Sequence, residues 1–280
     1  MTARACDIAD LSGLWQRSLI QHPDGTRDTT TWVAWLQGPS LFVDLRVPSG
    51  RPSFEGVSCQ QDLTADHVAW LARQEGFAGR LVREGEAFVW HRMLDFQPPS
   101  ALADAGCLSL IAAQDAAVSD ANLDPQWDGD ALIEVGRDVS YVEHWHRAAG
   151  PQAAAGAMRL SDPTSACEGF LVRSGAQFMY ARSRPGGALE PGRSLCDTVR
   201  AAPSLRAAQD LLDCEISFGC ICAVGWMIAR SSLPHREGAR LEFETAERSH
   251  GRLGLLIRQN GVICDARQWS ITECEGKLEL

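Results

Sequence analysis

The 280-residue chain has no run of about 18 apolar residues, so no transmembrane helix is expected. Its start, Met1-Thr2-Ala3-Arg4-Ala5-Cys6-Asp7, lacks the apolar core of a signal peptide, and a cytoplasmic location is expected. It has no excess of positive charge. The net charge of −10 argues against nonspecific nucleic-acid binding, which needs a basic footprint. It has ten cysteines but no Cys-x-x-Cys pair, which argues against structural zinc. Only Cys220 and Cys222 are close, and strand spacing would hold their Cβ atoms too far apart for an unstrained bridge. Scattered cysteines in a cytoplasmic chain are mostly small buried hydrophobes with reduced thiols. A nucleophile elbow, a phosphate loop and a dinucleotide fingerprint are all absent. The sequence therefore names no reaction, and neither a cofactor nor a metal is expected.

What the chain does contain is a repeat. Residues 88–99 are rich in aromatic and β-branched types and end on Pro98 and Pro99, which cannot donate to a ladder. A related stretch returns at 224–234. A separation of 136 residues relates Trp90 to Trp226, Pro98 to Pro234 and Arg46 to Arg182. A separation of 140 relates Glu75 to Glu215 and Gly79 to Gly219. Residues 132–135 resemble 255–258, and Trp145 pairs with Trp269. The first copy of the central strand carries His91, Arg92 and Asp95, where the second has Met227, Ile228 and Ser231. Charged chemistry on this strand is thus expected in the first copy alone.

In chain order, residues 12–20 read as a first strand. His22-Pro23-Asp24-Gly25 makes a turn, and residues 29–36 and 41–47 supply the next two strands. Residues 64–76 read as the clearest helix, with Thr64 as its start and Gly76 as its end. Residues 77–82 and 88–96 follow as paired strands about Glu84-Gly85-Glu86. Residues 107–112 and 116–119 are a candidate hairpin and 120–130 a loop. Residues 132–135 and 141–147 close the unit. Residues 148–156 read as a small-residue linker. The second unit opens at Met158, with a helix at 204–214. Residues 169–174 echo 13–18, as if this unit lacked one hairpin arm.

Many short antiparallel strands with tight turns describe a small closed barrel. A first strand with Gly13-Leu14-Trp15 and a last strand ending in Arg147 resemble the lipocalin and calycin pattern. Proteins built of two lipocalin-like barrels in tandem are the closer image. That resemblance implies a fold and a cupped interior and implies no reaction. The expected fold class is mainly β: two lipocalin-like antiparallel barrels in tandem from an internal duplication, each with a short helix. Residues 1–150 would form the barrel with the site. Residues 157–280 would form a second, shorter and structural barrel.

Strand alternation supplies the candidate residues. Leu41, Val43 and Leu45 share an apolar face, opposite Phe42, Asp44 and Arg46. Trp90, Arg92, Leu94 and Phe96 share one face of their strand; Val89, His91, Met93 and Asp95 share the other. A face mixing aromatic and polar groups is what a lumen with a polar ligand site looks like, and also what a solvated face looks like. Asp44 and Arg46 could pair, or Arg46 could meet a ligand carboxylate through its planar fork. His91 could act as a general base. Asp95 would stand about 13 Å from it along the strand, so its partner would have to be Glu143 or Asp44. The ligand-binding set is Trp15, Arg17, Trp32, Arg46, Trp90, Arg92, Tyr141 and Trp145. His144 and His146 share a face, but Glu143 points away from them.

The leading expectation is a binding protein for a small, mostly apolar or aromatic molecule with a polar or acidic handle. Its rival is a cofactor-independent isomerase, hydratase or hydrolase using His91 with a carboxylate. A protein–protein scaffold with filled barrels is the third reading. The expected partner is a small-molecule ligand, with neither nucleic acid nor membrane, and a homodimer stays open.

Overall fold

The apolar and mixed faces of residues 41–47 point in opposite directions, and that division organises the molecule. The computed structural model describes residues 4–111, 130–148, 154–244 and 251–280. The first unit contains β1 (Arg4–Ala5), β2 (Gly13–Gln21), β3 (Arg27–Asp28), β4 (Trp32–Gln37), β5 (Leu41–Val47), β6 (Glu75–Glu84), β7 (Ala87–Asp95), β8 (Ala105–Ile111), β9 (Ala131–Gly136) and β10 (Val142–Arg147). Eight of these, all but β1 and β3, close into an antiparallel barrel through the β2–β10 and β8–β9 pairings. The second unit contains β11 (Ala155–Asp162), β12 (Cys167–Ser174), β13 (Gln177–Arg182), β14 (Glu215–Cys222), β15 (Gly225–Ser231), β16 (Arg240–Glu244), β17 (Arg252–Gln259) and β18 (Val262–Gly276). These eight close into a second barrel.

The second barrel therefore lacks no hairpin arm. Its first strand, β11, begins at Ala155, inside the stretch read as a linker. Residues 169–174 lie on β12, the counterpart of β4 rather than of β2. The small residues there answer to packing. A Cβ on Gly156 would sit 2.3 Å from the Lys277 carbonyl carbon. Part of the expected linker, residues 116–119 and nearly all of the 120–130 loop lie outside the described residues.

Counted along each barrel, Trp90 on β7 and Trp226 on β15 occupy corresponding strands, as do Trp145 on β10 and Trp269 on β18. The register agrees in detail. Trp90 faces Leu81 and Trp226 faces Ile221; Arg46 faces Glu75 and Arg182 faces Glu215. Leu132 and Leu253 are the partners of the two late tryptophans, so the 132–135 stretch matches two residues earlier than its sequence likeness implies.

Among the described residues, three short α-helices lie outside the barrels: α1 (Ala65–Leu71), α2 (Leu195–Arg200) and α3 (Leu205–Asp210). Thr64 Oγ1 accepts the His67 amide and Ser204 Oγ accepts the Ala207 amide, each capping orphan donors at a helix start. Gly76 does not end α1. It lies in β6, where a Cβ would meet Ile216 Cδ1 at 2.8 Å, so its bareness lets the two barrels approach.

The apolar face of β5 makes that approach. Leu41, Val43 and Leu45 share one buried core with Phe170, Val172, Met179, Ala181 and Ile216 of the second barrel. Burying such side chains stabilises by about 1.5–3 kcal/mol each relative to exposure. The border is also hydrogen-bonded. Glu275 accepts the Ser40 and Leu41 amides at 2.7 and 2.6 Å, and Gln74 Nε2 donates to the Ser232 carbonyl at 3.1 Å. No described helix is long and apolar enough to cross a membrane.

Candidate functional site

The mixed face of β5 turns inward. Phe42 joins Trp15, Trp35, Phe77, Trp90, Leu132 and Trp145 in the interior core of the first barrel. Trp35 stands at the centre, 6.2 Å from Trp15, 5.7 Å from Trp90 and 5.6 Å from Trp145 between ring centroids. These rings fill one half of the lumen. Trp32 is not among them. It lies on the opposite face of β4, 5.7 Å from Phe218 of the second barrel, and Trp35 takes the place expected of it.

The other half of the lumen is charged. Asp44 and Arg46 pair at 2.9 Å, Arg17 donates to Glu143 Oε1, and Arg46 stands 3.7 Å from the same oxygen. Tyr141 Oη donates to Glu134 Oε1 at 2.7 Å, and Trp145 Nε1 donates to Glu134 Oε2 at 3.2 Å. Glu134, Asp44 and Glu143 are each at most 3% exposed. Burial pushes the Asp44 carboxyl up to about 6 against the pull of Arg46 and Arg17. Burial, then Glu143 and Asp104, hold the Glu134 carboxyl well above the usual carboxylate range. The two hydrogen-bond donors that meet Glu134 are neutral, which leaves its charged form without a direct counter-ion.

A β-bulge sets the face of β7. Gly79 pairs with Arg92 and Ala78 with Leu94, so Met93 is the extra residue and the alternation reverses there. Asp95, expected beside His91, instead joins Trp90 and Arg92 on the inner face, opposite the inward-facing Phe77. Leu94 and Phe96, expected beside Trp90, pack in the core between the barrels. Gly79 is needed here, since a Cβ would lie 1.9 Å from the His91 carbonyl oxygen. Arg92 then lies with its guanidinium carbon 3.6 Å above the Phe77 ring, pairs with Asp104 at 2.7 Å and reaches Asp95 at 3.1 Å.

His91 faces outward. Its side chain is half exposed and lies 3.8 Å from Glu84. The inner face holds Asp44 and Glu143, so the structure does not bring His91 to either carboxylate. His146 stands 2.9 Å from Ser18 Oγ on the outside of β10. Among the described residues, no group of three or more His, Cys, Asp or Glu side chains has the arrangement of a metal site.

The lumen reaches the surface between β7 and β8. These strands share only two paired positions, Phe88 with Gly106 and Val89 with Ala105, plus the Trp90 amide donating to the Asp104 carbonyl at 2.9 Å. Beyond Trp90 the strands part around a cleft of about 480 Å³. Trp90, Arg92, Asp95, Asp104 and Tyr141 supply its polar and aromatic wall. Met93, Leu102 and Val139, exposed by 39, 59 and 40%, supply its apolar rim. The second unit buttresses this edge. Arg184 donates to the Asp95 and Phe96 carbonyls, and Ala188 lines the cleft.

Of the expected site residues, Arg17, Asp44, Arg46 and Glu143 meet in one ion-pair network, Arg92 shares the Phe77 ring with Arg46, and Tyr141 and Trp145 meet at Glu134 instead. Glu134, Asp104 and Trp35 belong to the site and were not anticipated. Period-2 alternation from Leu132 and from Val33 would have placed Glu134 and Trp35 inward. Asp104 lies on a loop and left no such signal.

No protein-family model matches the chain, and no curated protein matches its sequence. Among solved structures, it is similar to the crystal structure of the uncharacterized protein YLR301w from Saccharomyces cerevisiae. The likeness has 10% identity and a TM-score of 0.46 over 94% of this chain and 98% of that one.

Proposed function

We propose that the chain is a small-molecule-binding protein whose site is the cleft between β7 and β8, at the charged end of the first, lipocalin-like barrel. The observation that carries this reading is the cleft itself. An apolar rim of Met93, Leu102 and Val139 stands over a floor of Trp90, Arg92, Asp95, Asp104 and Tyr141. Concave apolar walls with a few convergent polar groups are the ordinary form of a ligand site. The tryptophan-filled half of the lumen leaves the ligand to the cleft and the charged half.

The handle that fits is cationic rather than acidic. Arg92 is already engaged by Asp95 and Asp104, and Arg46 by Asp44. Five carboxyls, Asp44, Asp95, Asp104, Glu134 and Glu143, surround three guanidiniums, Arg17, Arg46 and Arg92. An amine on an aromatic or aliphatic body would meet Asp104 and stack near Trp90. His91 also borders the cleft, but from the outer face, apart from the buried Asp44 and Glu143 that would have to partner it in acid–base work.

Titration with phenethylamine, followed by tryptophan fluorescence, tests the reading against phenylacetate of similar shape. Saturable binding of the amine, at least about tenfold weaker in Asp104→Asn, is expected. Tighter binding of phenylacetate, or an Asp104→Asn affinity equal to that of the parent, contradicts it.

A further inference from the structure

The hairpin of β14 and β15 carries three sulfurs on one face. The inner face of β14 is set by Gly219, where a Cβ would collide with the Phe178 ring, and by Ile221, which packs against the interior core of the second barrel. Cys220 and Cys222 alternate with them, point outward and are exposed. On β15, Trp226 and Ile228 belong to the same interior core, so Met227 between them also points outward. The register sets Cys220 directly opposite Met227 and Cys222 opposite Gly225. Cys222 Sγ leans across the hairpin, 3.5 Å from the Gly225 carbonyl oxygen.

The first barrel has no such set. Its corresponding hairpin, β6 with β7, places Arg80 opposite His91, with Val82 two residues beyond Arg80. The three places held there by Arg80, Val82 and His91 all carry sulfur in the second barrel. Cysteine is among the residue types most often buried, so two of them exposed on one strand face need a reason other than packing.

Spacing decides what the set can hold. Positions two apart on a strand stand about 7 Å apart, whereas a disulfide needs Cβ atoms within about 3.5–4.5 Å. A metal ion between the thiols adds two metal–sulfur bonds to the span, each about 2.3 Å long in zinc thiolates. Directly opposite residues have Cβ atoms about 4.5–5.5 Å apart, and diagonal neighbours stay within reach of a long side chain. The unbranched Met227 can therefore meet both cysteines. Burial, then the charge of Cys222, push the Cys220 thiol up, so the two sulfurs lie within electrostatic reach of each other. A cation bound between them removes that repulsion.

The donors are soft. The positions flanking the patch are Gln177 on β13 and Arg240 on β16, which bring neither a carboxylate nor an imidazole. The Glu242 carboxylate beyond them is held by Arg240 and Arg258. Thiolate and thioether ligands select Cu(I), whereas structural zinc takes four ligands and hard ions take oxygen.

We propose that Cys220, Cys222 and Met227 form a trigonal Cu(I) site on the outside of the second barrel. Binding forms two copper–thiolate bonds and one copper–thioether bond, releases the two thiol protons to solvent and leaves the metal as Cu(I). The site is independent of the cleft between β7 and β8.

The test is an anaerobic titration of the whole chain with Cu(I) against bicinchoninate, a chromophoric Cu(I) chelator, followed by copper X-ray absorption of the loaded protein. The parent should hold about one Cu(I) per chain, with affinity at least about tenfold lower in Cys220→Ser and in Cys222→Ser. Met227→Leu should bind more weakly than the parent and lose one sulfur from the copper shell. Urea midpoints of the three variants should stay close to that of the parent, because all three side chains lie on the outer face. Equal affinity in the parent and either serine variant, nitrogen or oxygen in the parent's copper shell, or an unchanged shell in Met227→Leu overturns the proposal.

Discussion

Gly79→Ala is the substitution with the largest consequence per atom added. The new Cβ would lie 1.9 Å from the His91 carbonyl oxygen, 2.9 Å from the His91 carbonyl carbon and 3.0 Å from the Met93 amide nitrogen. Ordinary contact starts near 3.4 Å, so backbone must move by more than 1 Å, and no side-chain rotation relieves it. The strand that must move is exposed at His91, Arg92 and Met93, but Trp90 on one side anchors it in the tryptophan-filled lumen and Leu94 on the other in the core shared with the second barrel. A loss of about 3–5 kcal/mol follows, in the range kept for backbone strain and core disruption. Gly85→Ala is the control. It adds a methyl at φ +66° with nothing within 4 Å, and costs only the left-handed strain of about 1–2 kcal/mol. Gly219→Ala should behave like Gly79→Ala, because its Cβ would meet the Met227 carbonyl oxygen at 2.3 Å on the corresponding bulge. Urea unfolding followed by tryptophan fluorescence measures all three. If Gly79→Ala costs no more than Gly85→Ala, the bulge does not set the face of β7, and the placement of Asp95 beside Arg92 fails with it.

Asp44 should give stability a pH slope. Its folded pKa of about 6 lies above the ordinary 3.8, so stability is fully present below about pH 4 and declines as pH rises through about 6. The decline is about 3 kcal/mol in all, about 2 of it between pH 4.5 and 7.5, so stability from urea unfolding should fall by about that much more in the parent than in Asp44→Asn over this range; parallel profiles would count against it. Leu41→Ala, which opens the core between the barrels, should cost about 2–5 kcal/mol, whereas His91→Ala on the outer face should cost under about 1 kcal/mol, both by urea unfolding. All ten cysteines are free, so alkylation of denatured, unreduced protein should modify ten thiols by mass spectrometry, and fewer would contradict the prediction.

Much of this architecture was legible because each barrel wall alternates cleanly. The Leu41, Val43, Leu45 face against Phe42, Asp44, Arg46 needed only the two-residue period, and the Asp44–Arg46 pair came with it. The equal spacing of Trp90 and Trp226 marked corresponding strands. What was misread came from breaks in the period. The bulge at Met93 reversed the face of Asp95, and the only sequence trace of it is the bare Gly79 on the neighbouring strand. Trp32 and Trp35 are three apart and so face oppositely, yet composition alone made Trp32 look like a lumen filler. The start of β11 reads as a linker because Gly156 packs against the Lys277 and Leu278 backbone, and the small residues this demands are also those of a flexible segment. The polar groups of the second barrel, Arg182, Glu215, Arg236 and Asp265, escaped because they come from four separate segments and meet only after closure.

The location of a bound amine tests the central claim most directly. With phenethylamine added to 15N-labelled protein, the largest shifts should fall on the Trp90 indole and on the Arg92, Met93 and Asp104 amides, with the Trp269 indole unmoved. Shifts centred on Trp269, or spread over the surface without saturation, would contradict a ligand site between β7 and β8.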